Sequence, residues 1–337
     1  MTLARAFWTT APGRGELRDE PLAAPASGIC RVRTVASGVS RGTEALVFAG
    51  RIPESQYQAM RAPLMGGEFP FPVKYGYSAV GLIEDAPPPH NPLRHAPTQH
   101  GPPNHAQRVF VLHPHQDRFN APAAMCIPVP DSVPSPRAVL AANMETALNL
   151  LWDAAPLPGE RILVVGAGVV GLLTASLLAS IPAAAVTLVD TNPARAALAH
   201  AFGCDFAPPD AAPVGQELLV HTSASEAGLR LCLASAAFEA RIIEASWYGD
   251  AAPALPLGEA FHARRLRLLA SQVGAIAPPM RGRRSHAERL AMALALLADA
   301  RFDALLDGPT PFADLPTAMP TILRTGGLCH VISYGDL

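Results

Sequence analysis

Lysine is nearly absent from this chain: one residue, Lys74, stands against 25 arginines. Arginine preference beside abundant alanine and proline reads as coding bias, which leaves Lys74, in PVKYGYSAVG, as the exception. A compact ammonium with a tunable pKa does what a guanidinium does not, and chance survival of one surface lysine is the plain alternative. An excess of charge of either sign is also missing. With 26 basic and 28 acidic residues among 337, there is no broad electrostatic footprint for nucleic acid or an anionic membrane, so neither partner is expected. No apolar run is long enough to span a bilayer without Gly, Pro or charge, and MTLARAFWTTAPGRGEL lacks the apolar core of a secretory signal. Five cysteines, Cys30, Cys126, Cys204, Cys232 and Cys329, are scattered and never form a CxxC pair. That pattern suits a reduced cytoplasm without a disulfide framework.

What is present centres on Arg161 to Gly171, RILVVGAGVVG, an apolar strand running into Gly166-x-Gly168-x-x-Gly171. The first glycine permits a tight turn, the second lets backbone approach a pyrophosphate, and the third lets the next helix pack against the strand. Val169 and Val170 open that helix, whose N-terminus faces the anion. A second strand, AVTLVD, ends about 20 residues on in Asp190, placed to accept from ribose hydroxyls. A carboxylate there opposes the 2′-phosphate of NADP, so NAD(H) is the preferred dinucleotide. Arg195, on the following helix, is read as solvated rather than turned onto a phosphate.

The N-terminal third reads as short β segments broken by Gly and Pro (ARAFWTT, ICRVRTVASGVS, YSAVGLIED, RVFVLH), an antiparallel, partly closed sheet. From Arg137 a long helix leads into strands alternating with helices, the pattern of a doubly wound parallel sheet. The last strand, LCHVISYG, stands alone and is expected to pair with the N-terminal sheet. The fold class is thus α/β: a Rossmann sheet over 141–275 inserted in a β-rich domain formed by 1–140 and 276–337. Residues 86–107 form a His/Pro-rich surface loop, with His90, His95, His100 and His105 five residues apart. Imidazoles ligate metals, but that interval suits neither a helix face nor a strand, and a tolerated solvated insertion is the simpler reading.

The strings VASGVSRGTE, PVKYGYSAVG, AQRVFVLHPH, METALN, VVGAGVVG and LCHVISYG together resemble the medium-chain dehydrogenase/reductase superfamily, over nearly the whole chain. Within it, SGVSRGTE with GRIP, and YGYSAVG, are most similar to the bacteriochlorophyllide dehydrogenase branch. The resemblance implies a GroES-like β domain beside the Rossmann domain, and a homodimer. It also exposes departures. Zinc members carry a cysteine where this chain has Ser40, and a His-Glu pair where it has Tyr77 and Ser78 after Gly76. The third ligand falls near Ala138 to Ala142, where no ligating residue stands, and the four-cysteine lobe has no counterpart. Three protein ligands and an open position cannot be assembled, so neither catalytic nor structural zinc is expected.

Without a metal, hydrogen-bond donors must polarise the substrate beside the nicotinamide. Tyr77 is read as proton donor or acceptor, Lys74 as a cation lowering its pKa, and Thr43 and Ser40 as relay or anchor; the plain alternative is that the tyrosines merely line a sheet edge. By resemblance Arg41 meets the cofactor pyrophosphate, and Glu145 and Thr146 line the nicotinamide side, although a helix-surface carboxylate such as Glu145 is more often solvated. His113 and His115 share a strand face but lack a third ligand. Ser223, Ser246 and Ser271 follow strand ends, where an α/β sheet presents groups to its ligand. The function expected is zinc-independent, NAD(H)-dependent hydride transfer between nicotinamide and a secondary alcohol or ketone. An NADPH-dependent quinone or enone reductase, and a non-catalytic, redox-responsive dinucleotide-binding protein, are the alternatives.

Overall fold

The computed structural model describes residues 2–86 and 104–335. Most of the His/Pro loop, with His90, His95 and His100, lies outside the described residues. The chain divides into one unit of Met1–Ala142 with Leu290–Leu337 and another of Asn143–Arg289. The return to the first unit therefore falls fourteen positions after the boundary read from the sequence, because Arg289 is tied into the second.

The first unit is organised on the strand Ile29–Val39, whose odd and even positions alternate between half-buried and buried until both faces are covered near Val39. Cys30, Val32 and Ala36 face the interior, as a period of two demands of a sheet packed on one side. It pairs antiparallel with Ala79–Asp85, with Arg118–Pro122 and, from the far end of the chain, with Cys329–Ser333. The terminal strand thus joins the N-terminal sheet through the register His330 to Val39. A hairpin of Thr2–Ala11 and Arg14–Leu22 forms a second sheet. Ser40 stands between the end of the central strand and the helix Arg41–Phe48, as the helix N-cap, so its neighbours are fixed by both elements.

The second unit is a six-stranded sheet with every pairing parallel. Its spatial order is Asp205–Ala207, Ala185–Val189, Arg161–Val165, Gln216–His221, Ala236–Glu244, Arg267–Ala270. In sequence rank that is 3-2-1-4-5-6, the doubly wound order, which reverses between Arg161–Val165 and Gln216–His221 and opens a crevice beyond their carboxyl ends. The helix Val169–Ala179 packs on this sheet with Leu172, Leu173, Leu177 and Leu178 buried; each such side chain contributes roughly 1.5–3 kcal/mol. At Arg267–Ala270 the sheet ends in an exposed edge. Among the described residues no helix is long and apolar enough to cross a membrane.

Candidate functional site: a dinucleotide turn and a hydroxyl cluster

The strand Arg161–Val165 enters Gly166 at φ +110, a conformation costly for any residue with a Cβ. A side chain there would also meet Ser223 N at 2.8 Å, and one on Gly171 would lie 1.8 Å from Gly166 O. Gly168 is different: a Cβ built on it meets nothing within 4 Å. It is also the N-cap of Val169–Ala179 and has no side chain to cap the helix, so the first-turn N–H groups are left for an anion. Asp190 Oδ2 accepts from Ala167 N at 2.6 Å and Oδ1 from Asn192 N at 2.8 Å. Its carboxylate therefore braces the turn, and each oxygen keeps lone-pair capacity for ribose hydroxyls. Three glycines and the acid form one cradle that fits a dinucleotide.

The glycines predict opposite consequences on substitution. Gly171→Ala forces the helix off the turn and should lower both melting temperature and NADH affinity. Gly168→Ala should leave the melting temperature unchanged yet weaken NADH at least about tenfold, ~1.4 kcal/mol, by blocking backbone approach to the pyrophosphate. Differential scanning calorimetry beside NADH titration separates the two; unaltered NADH affinity in Gly168→Ala would remove this cradle from the cofactor site.

In the first unit Tyr77 Oη donates to Ser40 Oγ at 2.7 Å. Burial pushes the Tyr77 phenol up to about 12, against the opposing hydrogen bonds with Ser40 and Thr43. Tyr77, Ser40 and Thr43 thus come together as a cluster of hydroxyls, with Tyr77 a neutral donor at ordinary pH. Lys74 does not join them. Its Nζ donates to Glu20 Oε2 at 2.6 Å and Gln116 Oε1 at 2.9 Å and lies 5.8 Å from the centre of the Trp8 ring. The expected lysine-lowered tyrosine is therefore corrected: the ammonium is neutralised by Glu20, and desolvation moves the phenol the other way. Ser78, next to Tyr77, donates to Val139 O and holds the segment near Ala138 to Ala142.

Several other expectations also change. Arg41 turns its guanidinium to the carbonyls of Gly327 and Leu323, tying the start of its helix to the loop before the last strand rather than presenting it to an anion. Glu145 is not solvated. It is buried against Arg289 with Nε to Oε1 at 3.1 Å, a structural pair on the helix Ala141–Ala154, while Thr146 beside it is half-buried. Ser271 Oγ donates to Asp153 Oδ2 at 2.5 Å, which takes it for internal bracing. His113 and His115 follow the strand Arg108–Val111 rather than lying on it. His113 stacks on Phe119 at 3.7 Å, and burial lowers its pKa to about 3, so it stays neutral. Ser223 and Ser246 do lie at the strand ends, Ser246 Oγ accepting from Ala224 N at 3.0 Å.

Two networks escaped the sequence reading. In the first unit Glu44 Oε1 accepts from Ser40 N at 2.7 Å, its Oε2 meets His115 Nε2 at 3.0 Å, and His115 Nδ1 meets Ser37 Oγ at 2.7 Å. Glu44 and His115 are buried, so this chain sets Ser40, and through it Tyr77, from below. In the second unit His221 joins Ser223 and Glu244. Among the described residues no group of three or more His, Cys, Asp or Glu is arranged to hold a metal ion. Ser40 and Tyr77, bonded to each other, do not fit zinc either.

No family model matches the sequence. An L-threonine 3-dehydrogenase of Rhizobium rhizogenes is 36% identical over 86 residues, 25% of this chain and 24% of that enzyme. The chain thus matches about a quarter of the length of its curated relative. A zinc-binding dehydrogenase structure from Sinorhizobium meliloti 1021 bound to NADP aligns over 99% of this chain and 100% of its own, at 15% identity and TM-score 0.76. A short chain alcohol dehydrogenase of E. coli CFT073 complexed with NADH aligns over 99% and 100%, at 13% identity and TM-score 0.75. These likenesses show the fold. The chain shares their architecture, a doubly wound parallel unit and a β-rich unit.

Proposed function

We propose that this protein is an oxidoreductase that transfers hydride between a nicotinamide dinucleotide and a secondary alcohol or ketone, without zinc. The observation that carries the reading is the cradle at Gly166, Gly168 and Gly171 with Asp190 braced beside it, in a fold shared with dehydrogenases that bind NADP or NADH. When bound, the nicotinamide supplies or accepts the hydride. Tyr77 then supplies the proton: a neutral phenol beside Ser40 and Thr43 turns its one O–H from Ser40 Oγ to the carbonyl oxygen and neutralises it as charge develops. This donor state favours carbonyl reduction. Zinc independence is supported by hydroxyls at Ser40 and Tyr77, which do not provide a tetrahedral ligand set.

Asp190 supports NAD(H) over NADP(H), with Ser223, Ser246 and Thr146 as further candidate contacts. In fluorescence titrations NADH should bind at least about ten times more tightly than NADPH; equal affinities, or the reverse order, would reject this role for Asp190. A homodimer is supported by the exposed edge strand Arg267–Ala270, with Leu268 36% and Leu269 43% exposed, since an uncovered apolar edge invites pairing. A monomeric mass by light scattering at micromolar concentration would contradict that part.

A further inference from the structure

The dinucleotide-type unit holds a second constellation, beyond the ends of Gln216–His221 and Ala236–Glu244. Ser223 Oγ lies 2.7 Å from His221 Nε2, and His221 Nδ1 lies 2.8 Å from Glu244 Oε2. The protons can be placed from their partners. Glu244 already accepts from Ser246 N at 2.7 Å and Tyr248 Oη at 3.1 Å, and an ionised carboxylate only accepts. His221 Nδ1 must therefore donate to it, which leaves Nε2 of the neutral ring as an acceptor for the Ser223 proton. On the other side Ser225 Oγ, capping the helix Glu226–Ser235, accepts from Gly228 N at 3.0 Å and lies 2.8 Å from Ser223 Oγ. Ser225 thus donates to Ser223, Ser223 to His221, and His221 to Glu244.

That polarity is the one a serine nucleophile needs from a general base and an orienting acid. Exposure agrees with it. His221 is fully buried and Glu244 partly buried, whereas Ser223 is exposed; a network serving only to satisfy His221 would not require its serine in solvent. Gly228 makes the approach possible, since a Cβ there would lie 2.3 Å from Ser223 Oγ and 2.8 Å from His221 Nε2. The first turn of Glu226–Ser235 follows immediately and offers N–H groups for an oxyanion.

We propose that Ser223, His221 and Glu244 form an acyl-transfer site for activated carboxylic esters that operates when no dinucleotide is bound, since Ser223 borders the Gly166 turn and is also a candidate cofactor contact. Ser223 Oγ attacks the ester carbonyl carbon while His221 Nε2 takes its proton. The bond to the leaving oxygen then breaks, and His221 returns the proton to the departing alcohol. Water repeats the sequence on the acyl-serine, releasing the carboxylic acid and restoring Ser223.

The test uses the full chain freed of dinucleotide, with p-nitrophenyl acetate as ester and an alkyl fluorophosphonate as covalent probe. With the probe, Ser223 Oγ bonds to phosphorus, fluoride leaves, and the serine proton passes to His221. Tandem mass spectrometry should place the adduct on Ser223, and Ser223→Ala should lower ester hydrolysis at least about a hundredfold. Glu244→Gln should slow labelling of Ser223 at least about tenfold by weakening the hold on the imidazole tautomer. Hydrolysis by Ser223→Ala within threefold of the parent, or an adduct on another residue, overturns the proposal. Neither readout depends on NADH turnover, so failure here and failure of the dehydrogenase reading remain distinguishable.

Discussion

Tyr77→Phe should lower ketone turnover with NADH at least about a hundredfold, ~2.7 kcal/mol of barrier, while NADH affinity and melting temperature stay near the parent values. The variant keeps the ring and its T-shaped packing on Tyr75 at 6.0 Å and removes only the hydroxyl that donates to Ser40. Because burial pushes that phenol up to about 12, it is protonated throughout the neutral range. Reduction should therefore be flat with respect to this group from roughly pH 6 to 9, and alcohol oxidation, which needs the phenolate, should rise with pH over the same interval. Stopped-flow NADH absorbance in both directions gives the profiles. A loss under threefold in Tyr77→Phe, with the pH profiles unmoved, removes Tyr77 from the proton transfer.

Arg289→Met should cost about 3–5 kcal/mol, the price of leaving a buried carboxylate without its partner. The Arg289 side chain is 1% exposed and that of Glu145 6%. Besides Glu145, the guanidinium donates to Asn149 Oδ1 at 2.6 Å and Val273 O at 2.5 Å, so one residue clamps the helix Ala141–Ala154 to the segment after the last parallel strand. The sign of the pH dependence follows from Glu145, whose pKa burial already raises despite Arg289. Removing the cation raises it further. A group titrating above its unfolded value favours the folded state at low pH and loses that advantage as pH rises through the folded value. The deficit of Arg289→Met should therefore be larger at pH 7.5 than at pH 5, with a fall in melting temperature on the order of 10 °C at the higher pH. An unchanged melting temperature at both would show that the pair is not structural.

How far the sequence carries depends on the range of the interaction. The parallel sheet was legible because strand, glycine turn and acid repeat a local pattern, and Gly166 to Asp190 lies within one β-α-β passage. The strand Arg14–Leu22, RGELRDEPL, was not: its charges hide a pairing with Thr2–Ala11 that only the hairpin reveals. Ser40 and Tyr77 were placed in one site by resemblance, and they meet at 2.7 Å. Lys74 failed because adjacency in sequence was read as adjacency in space, whereas its strand turns the ammonium toward Glu20, 54 positions away. Glu145 with Arg289 are 144 positions apart and His115 with Glu44 71. No local spacing signals such pairs. Cys30 and Cys126, scattered in sequence, share a hydrogen bond in the fold that lowers one thiol's pKa and raises the other's.

Zinc content and turnover measured on one preparation decide most directly between polarisation by hydroxyls and by a metal. Protein prepared without added metal should reduce a ketone with NADH at well under one zinc per chain, and dialysis against a chelator should leave the rate unchanged. Activity that rises in proportion to bound zinc up to one ion per chain, and disappears with the chelator, would contradict hydride transfer assisted by Tyr77, Ser40 and Thr43.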